Sequence, residues 1–364
     1  MKKRGKSKSR CCGCGGCMAA CPFGAITMIT DREGFAYPRV DPKKCRNCGR
    51  CEAVCPMGKH GETQKERLYL GVQAKSDEIR FSSSSGGFFP VLAGYVLRKG
   101  GVVFGAAMER DGSVVHRGIQ TGDALSSLQK TKYVQSDISG CFSEAERYLD
   151  QGRLVLFTGT PCQCQSVRTY LGGGRENLLL ADLVCYGTPS PEIWKKYVRE
   201  LEKRYEGEFS EFRFRDKRHR DNGHTVSVRL GDREYAWPMD RDPFCRVYFR
   251  NYMIRPSCHE CEFCTVERDS DITMGDFWGI EKVKPQMDDG MGTSLVILHS
   301  KKAQEVWNQI RGEFRFFPCL REEILQPRLC GPTVRADQRE SFLLLGRFLP
   351  IRLAERLAGR WKKT

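Results

Sequence analysis

CCGCGGCMAACP (11–22) and CRNCGRCEAVCP (45–56) share one cysteine pattern, and the rest of the chain is arranged around it. Cys11, Cys14, Cys17 and Cys21 are followed by Pro22, and Cys45, Cys48, Cys51 and Cys55 by Pro56. Each set reads C-x2-C-x2-C-x3-C-P, the spacing that holds a 4Fe-4S cube. Three thiolates two residues apart let one short turn wrap three iron corners. The fourth reaches across to the other cube, so Cys21 is expected on the second cluster and Cys55 on the first. The proline ends the local turn and removes a backbone donor. Structural zinc would ask for two separated pairs instead of a run of four.

The doubled run resembles a bacterial two-cluster ferredoxin, so residues 1–62 are expected to form a small α+β, ferredoxin-like domain. Between the sets, AITMITDREGFAYPRVD (25–41) has β-like runs on either side of the turn Asp31–Gly34, which predicts a hairpin. Polar, glycine-containing sequence over 57–67 predicts a linker, and 63–75 a linker running into a first strand.

Beyond it the pattern becomes α/β. VVFGAAM (102–108), LVLFTG (154–159) and LLLADLVC (178–185) are continuous apolar runs. They alternate with helical stretches, among them TPCQCQSVRTYL, which opens with proline in its first turn, and the amphipathic PEIWKKYVRELEKRY. That alternation predicts a mostly parallel sheet covered on both faces, over segments 76–155 and 156–320. EFRFRDKR (211–218), HTVSVRL (224–230) and REYAWP (233–238) read as antiparallel strands added at one side, and 321–364 as a basic helical tail.

Composition bounds the function. Forty per cent hydrophobic and 29% charged residues describe an ordinary folded chain. No apolar run reaches a bilayer span, because Asp182 and Arg347 interrupt the longest, so no transmembrane segment is expected. The basic start MKKRGKSKSR leads into cysteines, unlike a secretory signal peptide. Nineteen cysteines in metal-type spacing then predict a reducing, cytoplasmic setting. The formal charge is +15, and three cubes at about −2 each would leave roughly +9. With no helix-turn-helix or RNA-binding signature, no nucleic-acid partner is expected. An acidic electron carrier, an oxidoreductase subunit or an acidic small-molecule redox substrate suits the charge better.

A third run, Cys258, Cys261 and Cys264, has Arg268 where a fourth cysteine would fall. By itself it leaves iron–sulfur and zinc equally open, with His259 or a distant residue completing a zinc site. Cys162 of GTPCQ is the most suggestive fourth ligand, since a helix N-terminus stabilises a thiolate. Cys141, Cys185, Cys319 and Cys330 read as small buried residues, and Cys164 as second choice after Cys162.

SSSSGGFFPVLAGYVL, VVFGAAM, FTGTPCQ, LVCYGTPSP, CHECEFC and DITMGDFWG together resemble the coenzyme F-420 hydrogenase/dehydrogenase beta-subunit family across residues 68–320. The ferredoxin lead-in with GFAYPRVD is typical of its bacterial members. The resemblance implies a third 4Fe-4S cluster at Cys258, Cys261 and Cys264, closed by Cys162, with FAD alongside. It implies an iron–sulfur flavoprotein oxidoreductase that exchanges electrons with a deazaflavin (coenzyme F-420-like) or another small molecule. A non-catalytic subunit relaying electrons to a partner enzyme is the alternative.

The flavin is expected where Ser84, Ser85, Gly86 and Gly87 precede a helix, with hydroxyls and bare amides facing a pyrophosphate. Gly159 and Thr160 stand at a strand's carboxyl end, where α/β sheets place ligands. Asp276 in MGDFWG is a candidate polar contact, and no residue is singled out as catalytic. No G-x-G-x-x-G or Walker motif is present. Arg213, Arg215, Lys217, Arg218 and Arg220 form a basic run that reads as a solvated strand and loop or a receptor for an acidic tail. Leu353, Leu357 and Trp361 make a helical stripe expected to dock on the domain.

Overall fold

The computed structural model describes residues 7–59, 67–219 and 224–360. After the first cysteine set, β1 (Ile26–Thr30) and β2 (Ala36–Val40) pair antiparallel, Ile26 opposite Val40, as the expected hairpin. Asp31 builds the turn, its Oδ1 accepting from the Glu33 and Phe35 amides at 2.9 and 3.0 Å. Gly34 has φ +85°, and a Cβ there would lie 2.3 Å from the Ser190 hydroxyl. Only glycine lets this turn press against the first turn of the helix Pro191–Tyr205.

Three strands open the large domain: β3 (Leu68–Ala74), β4 (Val102–Met108) and β5 (Val114–Ile119). They are followed by β6 (Val155–Gly159), β7 (Leu178–Leu183), β8 (Phe209–Arg213), β9 (Thr225–Leu230) and β10 (Arg233–Pro238). The last are β11 (Ile272–Asp276), β12 (Ser294–Leu298) and β13 (Phe314–Cys319). Eight of these form one sheet in the order β13-β3-β12-β11-β7-β6-β4-β5. Parallel pairing joins only the central β4, β6, β7 and β11; every other neighbour is antiparallel.

The expected mostly parallel sheet is therefore a mixed one with a parallel heart. The five residues between β4 and β5 can make a hairpin but are too few for a crossover. The parallel heart is nonetheless the part that the continuous apolar runs described. β6 and β12 are buried at every position. Alternate residues serve opposite faces: Leu156 and Leu179 pack with the helices Phe88–Arg98 and Lys301–Ile310. Phe157 and Leu180 pack with Cys141–Asp150 and Pro161–Tyr170.

β8, β9 and β10 were expected as additions to this sheet, but they form a separate three-stranded one, in the order β10-β9-β8. Their inner face closes over Trp194 of the helix Pro191–Tyr205, which Phe212, Phe214 and Phe244 surround at 4.9–5.3 Å between ring centroids. An aromatic cluster of this size is a hydrophobic centre in its own right, so the strands need no main-sheet neighbour. The C-terminal helix Ile351–Arg360 does dock on the domain, but through Ile351, Ala354 and Ala358, all fully buried. Leu353 and Leu357 remain 41% and 37% exposed, and Trp361 lies outside the described residues. Small alanines approach the domain more closely than the predicted leucine stripe would.

Candidate iron–sulfur centres and ligand cleft

Two four-residue helices, Gly16–Ala19 and Arg50–Ala53, each start after a left-handed glycine, Gly15 and Gly49, both at φ 77°. The repeat in sequence is thus a repeat in backbone. Burial pushes the Cys17 thiol up to about 12, and the neighbouring Cys14, Cys11 and Cys55 add to it. Cys11 is raised by burial too, and it also feels Cys14 and Cys55. Cys55 therefore sits with Cys11, Cys14 and Cys17, the crossed arrangement that the spacing implied. In the other half, Cys51 faces Cys48. Cys21 accepts from the Ala25 amide at 3.3 Å, and Cys45 lies beside Asn47.

The donor set fits iron–sulfur clusters. Converging thiols are joined by backbone amides of Gly13, Gly16 and Met18 directed at sulfur, the kind of hydrogen bond that sets cluster potential. Neutral, raised thiols are what an empty thiolate site must show, since metal displaces the protons.

The third run lies over the carboxyl ends of the parallel strands. Burial raises Cys258 to about 11, and Cys162 and Cys261 lie near enough to raise it further. Cys261 is raised by its contact with Cys264, with Cys162 again nearby. Cys162 stands in the first turn of the helix Pro161–Tyr170, directly after β6. Its thiol is held below the ordinary range by hydrogen bonds with Cys12, the larger effect, and with the Thr160 hydroxyl, 3.3 Å away.

Two residues were missed by the sequence reading. Cys185, taken as a plain core residue, lies among Cys258, Cys162 and Cys261, and Cys264 feels it as well. It follows β7 as Cys162 follows β6, a positional parallel legible in the sequence. Burial pushes the Cys185 thiol up while Cys162 is lowered, so Cys162 is the readier thiolate. Cys12 is buried between Cys14 and Cys162, bonded to both. His259 instead gives its ring Nδ1 to the Thr333 carbonyl at 2.8 Å, and its charged neighbours are Arg339 and Arg335. It does not join the thiols.

Beside this array opens a cleft of about 280 Å³. Its floor is the carboxyl edge of the parallel strands, through Thr158, Gly159, Leu183 and Asp276. Ser84, Ser85, Gly87, Gly159, Thr160 and Asp276 all line it, whereas Gly86 does not. The Gly86 amide is spent on the Ser294 hydroxyl at 2.9 Å, and a Cβ on Gly86 would sit 2.4 Å from the Val72 carbonyl oxygen. Gly86 is thus a packing glycine, and bulk there would push strands apart. Ser84 accepts from the Thr131 amide at 2.8 Å, and Ser85 donates to the Thr293 carbonyl at 3.1 Å.

Opposite the serines the cleft is cationic. Lys132 donates to the Gln129 carbonyl at 2.6 Å, and burial pulls its pKa down to about 7. Arg215 pairs with Asp276 and keeps a buried Nε without partner. His116 lies 2.7 Å through Nε2 from the Thr158 carbonyl, burial holds it neutral at about 4, and its buried Nδ1 is unpartnered. The rest of the basic run is neither solvated nor free. Arg213 pairs with Glu211, Arg218 with Asp216 and Glu234, and Lys217 caps the Arg80, Ser85 and Met291 carbonyls at 2.7–2.8 Å. Arg220 lies outside the described residues.

A doubled cysteine module locked onto a sheet domain with a ligand cleft defines an iron–sulfur electron-transfer protein. Residues 10–59 match the 4Fe-4S dicluster domain. Residues 152–316 match the family described as the C terminus of the coenzyme F420 hydrogenase/dehydrogenase beta subunit. The chain thus joins a dicluster domain to a segment belonging to that beta-subunit family, as the resemblance implied. A chain of the xenon-derivatised F420-reducing [NiFe] hydrogenase complex from Methanosarcina barkeri is similar to it at 17% identity and a TM-score of 0.47. The likeness covers 83% of this chain and 91% of that one. No curated protein matches it. Among the described residues no helix is long and apolar enough to cross a membrane.

Proposed function

We propose that this chain is an iron–sulfur flavoprotein oxidoreductase, passing electrons between its N-terminal clusters and a flavin in the cleft that serves a deazaflavin or another small molecule. The observation that carries the reading is Thr160. It lines the cleft while its hydroxyl lies 3.3 Å from Cys162 Sγ, so the thiol array and the ligand site share one wall. Bound there, 4Fe-4S clusters carry single electrons and FAD exchanges them for a hydride.

The residues divide the work. Cys11, Cys14, Cys17 and Cys55 hold one cluster, and Cys21, Cys45, Cys48 and Cys51 the next. Cys258, Cys261, Cys264 and Cys162 hold a third. The cleft supports a flavin because it has unpartnered buried nitrogens, on His116 and Arg215, and a volume near the low end of ordinary ligand sites. Lys132 and the amides after Gly87 face its anionic groups, and Asp276 orients Arg215. The net positive chain suits an acidic electron-carrier protein or oxidoreductase subunit as partner.

Anaerobic reconstitution followed by iron, sulfide and flavin analysis tests the reading. About twelve iron, twelve sulfide and one flavin per chain are expected from three cubes and one cleft. Three clusters without flavin would instead make the chain a relay to a partner enzyme. Eight iron with one zinc would remove the third cluster.

A further inference from the structure

Arg255 is 1% exposed, yet among the described residues no carboxylate pairs with it. A buried guanidinium without a counter-charge costs several kcal/mol, so folded proteins supply one. Its hydrogen bonds here are all to neutral groups. Nε donates to the Cys11 carbonyl at 2.8 Å, Nη2 to the Ala36 carbonyl at 2.7 Å and Nη1 to Gln135 Oε1 at 3.2 Å. The cation also lies over the rings of Tyr37 and Phe35, 4.5 and 5.3 Å from their centroids. Tyr37 cannot balance it, because burial pushes that phenol up to about 12. The nearest carboxylate in this seam, Glu33, is committed to Arg339 at 2.6 Å.

What does surround Arg255 is sulfur. Its charge reaches Cys11 and Cys14 on one side and Cys162 on the other. Gly13, at φ +70°, gives it room, since a Cβ there would lie 2.6–2.7 Å from the guanidinium. Its own backbone amide donates to the Thr188 carbonyl at 2.9 Å, and Thr188 in turn donates to Cys258 Sγ at 3.4 Å.

We infer that Arg255 is the shared counter-cation of two clusters, the one at Cys11, Cys14, Cys17 and Cys55 and the one at Cys258, Cys261, Cys264 and Cys162, and that it raises both reduction potentials together. The inference rests on the third cluster of the proposed function. Each reduction adds one negative charge close to a buried cation, so the cation favours the reduced form of both clusters. A single residue then keeps two neighbouring centres matched, and the cluster at Cys21, Cys45, Cys48 and Cys51 lies outside its reach. Arg255 is a positioning residue that acts through charge.

The test uses the reconstituted full chain, with iron and sulfide counted first and each cluster followed by EPR during an anaerobic redox titration. Arg255→Met is expected to make reduction of both named clusters about tenfold less favourable, about 59 mV for one electron, while the remaining cluster moves less. Arg255→Lys is expected to restore most of the shift, which a merely structural clasp would not do. Should Arg255→Met fail to take up clusters, Gln135→Glu decides: a carboxylate beside Nη1 neutralises the cation in place and lowers the same two potentials. Unchanged potentials in either variant, or a shift in one cluster alone or equally in all three, overturn the inference. A wild-type count of eight iron overturns the third-cluster reading itself, and the sharing with it.

Discussion

The N-terminal lobe and the sheet domain are held together by different means. Over residues 7–59 the buried hydrophobic side chains are Ala25, Ile26 and Phe35. The sheet domain buries two faces of an eight-stranded sheet and a second aromatic centre around Trp194. A lobe with so few apolar contacts cannot offset its own conformational entropy. Its thiols and its seam with the large domain supply what its core lacks. That seam is extensive in kind: Gln135 reaches the Cys12 carbonyl, Thr169 the Val54 carbonyl, Gln165 the Lys59 carbonyl, and Glu262 accepts from the Gly58 amide. In one region metal is the core; in the other it is cargo on an independent scaffold.

Stripping iron breaks this contrast most sharply. Anaerobic chelation should leave the lobe open to proteolysis throughout residues 11–56, since structural metal sites contribute on the order of 10 kcal/mol to small domains. The sheet domain should keep a cooperative thermal transition; joint unfolding of both would show that they do not differ in this way. Next in size is the third site. Cys162→Ala should lower the iron count by about four per chain, while Cys185→Ala should leave it unchanged, because one cube takes four thiolates. The reverse result would give the fourth position to Cys185.

A smaller effect should follow at the seam. Glu33→Ala leaves the buried Arg339 with only the Ile254 carbonyl, which accepts at 2.8 Å. The partly exposed pair should cost about 1–2 kcal/mol, read as faster proteolytic release of the lobe with the sheet domain's melting unchanged. Smallest is the pH response of the cleft. Lys132 is cationic below about 7, so binding of inorganic pyrophosphate should weaken as pH rises through that value, by up to roughly tenfold. Lys132→Gln should flatten the profile. The same depressed pKa means that the unfolded chain binds the extra proton between pH 7 and the ordinary lysine range, so stability rises with pH across that window.

Legibility followed the distance over which each feature is encoded. The paired cysteine runs, the Asp31–Gly34 turn and the strands at 102–108, 155–159 and 178–183 depend on a few consecutive residues, and each could be read locally. Sheet order could not, since β3 finds β12 and β13 from the far end of the chain. For the same reason β8, β9 and β10 looked like extra strands: nothing in their alternation says that Trp194 waits to be covered. Gly86 and Gly87 look alike in sequence, yet one packs against Val72 and the other starts a helix at φ +89°. Arg255 was invisible because its meaning comes from what lies around it, and Cys12 because its partner Cys162 is distant in the chain.

The clasp between Glu33 and Arg339 joins residues 306 positions apart. A ribosome delivers the cysteine lobe first and the helix that carries Arg339 almost last. The lobe's eight thiols therefore emerge long before the surface that closes over them exists. Their protection during synthesis must come from outside the chain, from early iron delivery or from a bound chaperone. Completion of the N-terminal lobe is thus one of the final events in making the protein.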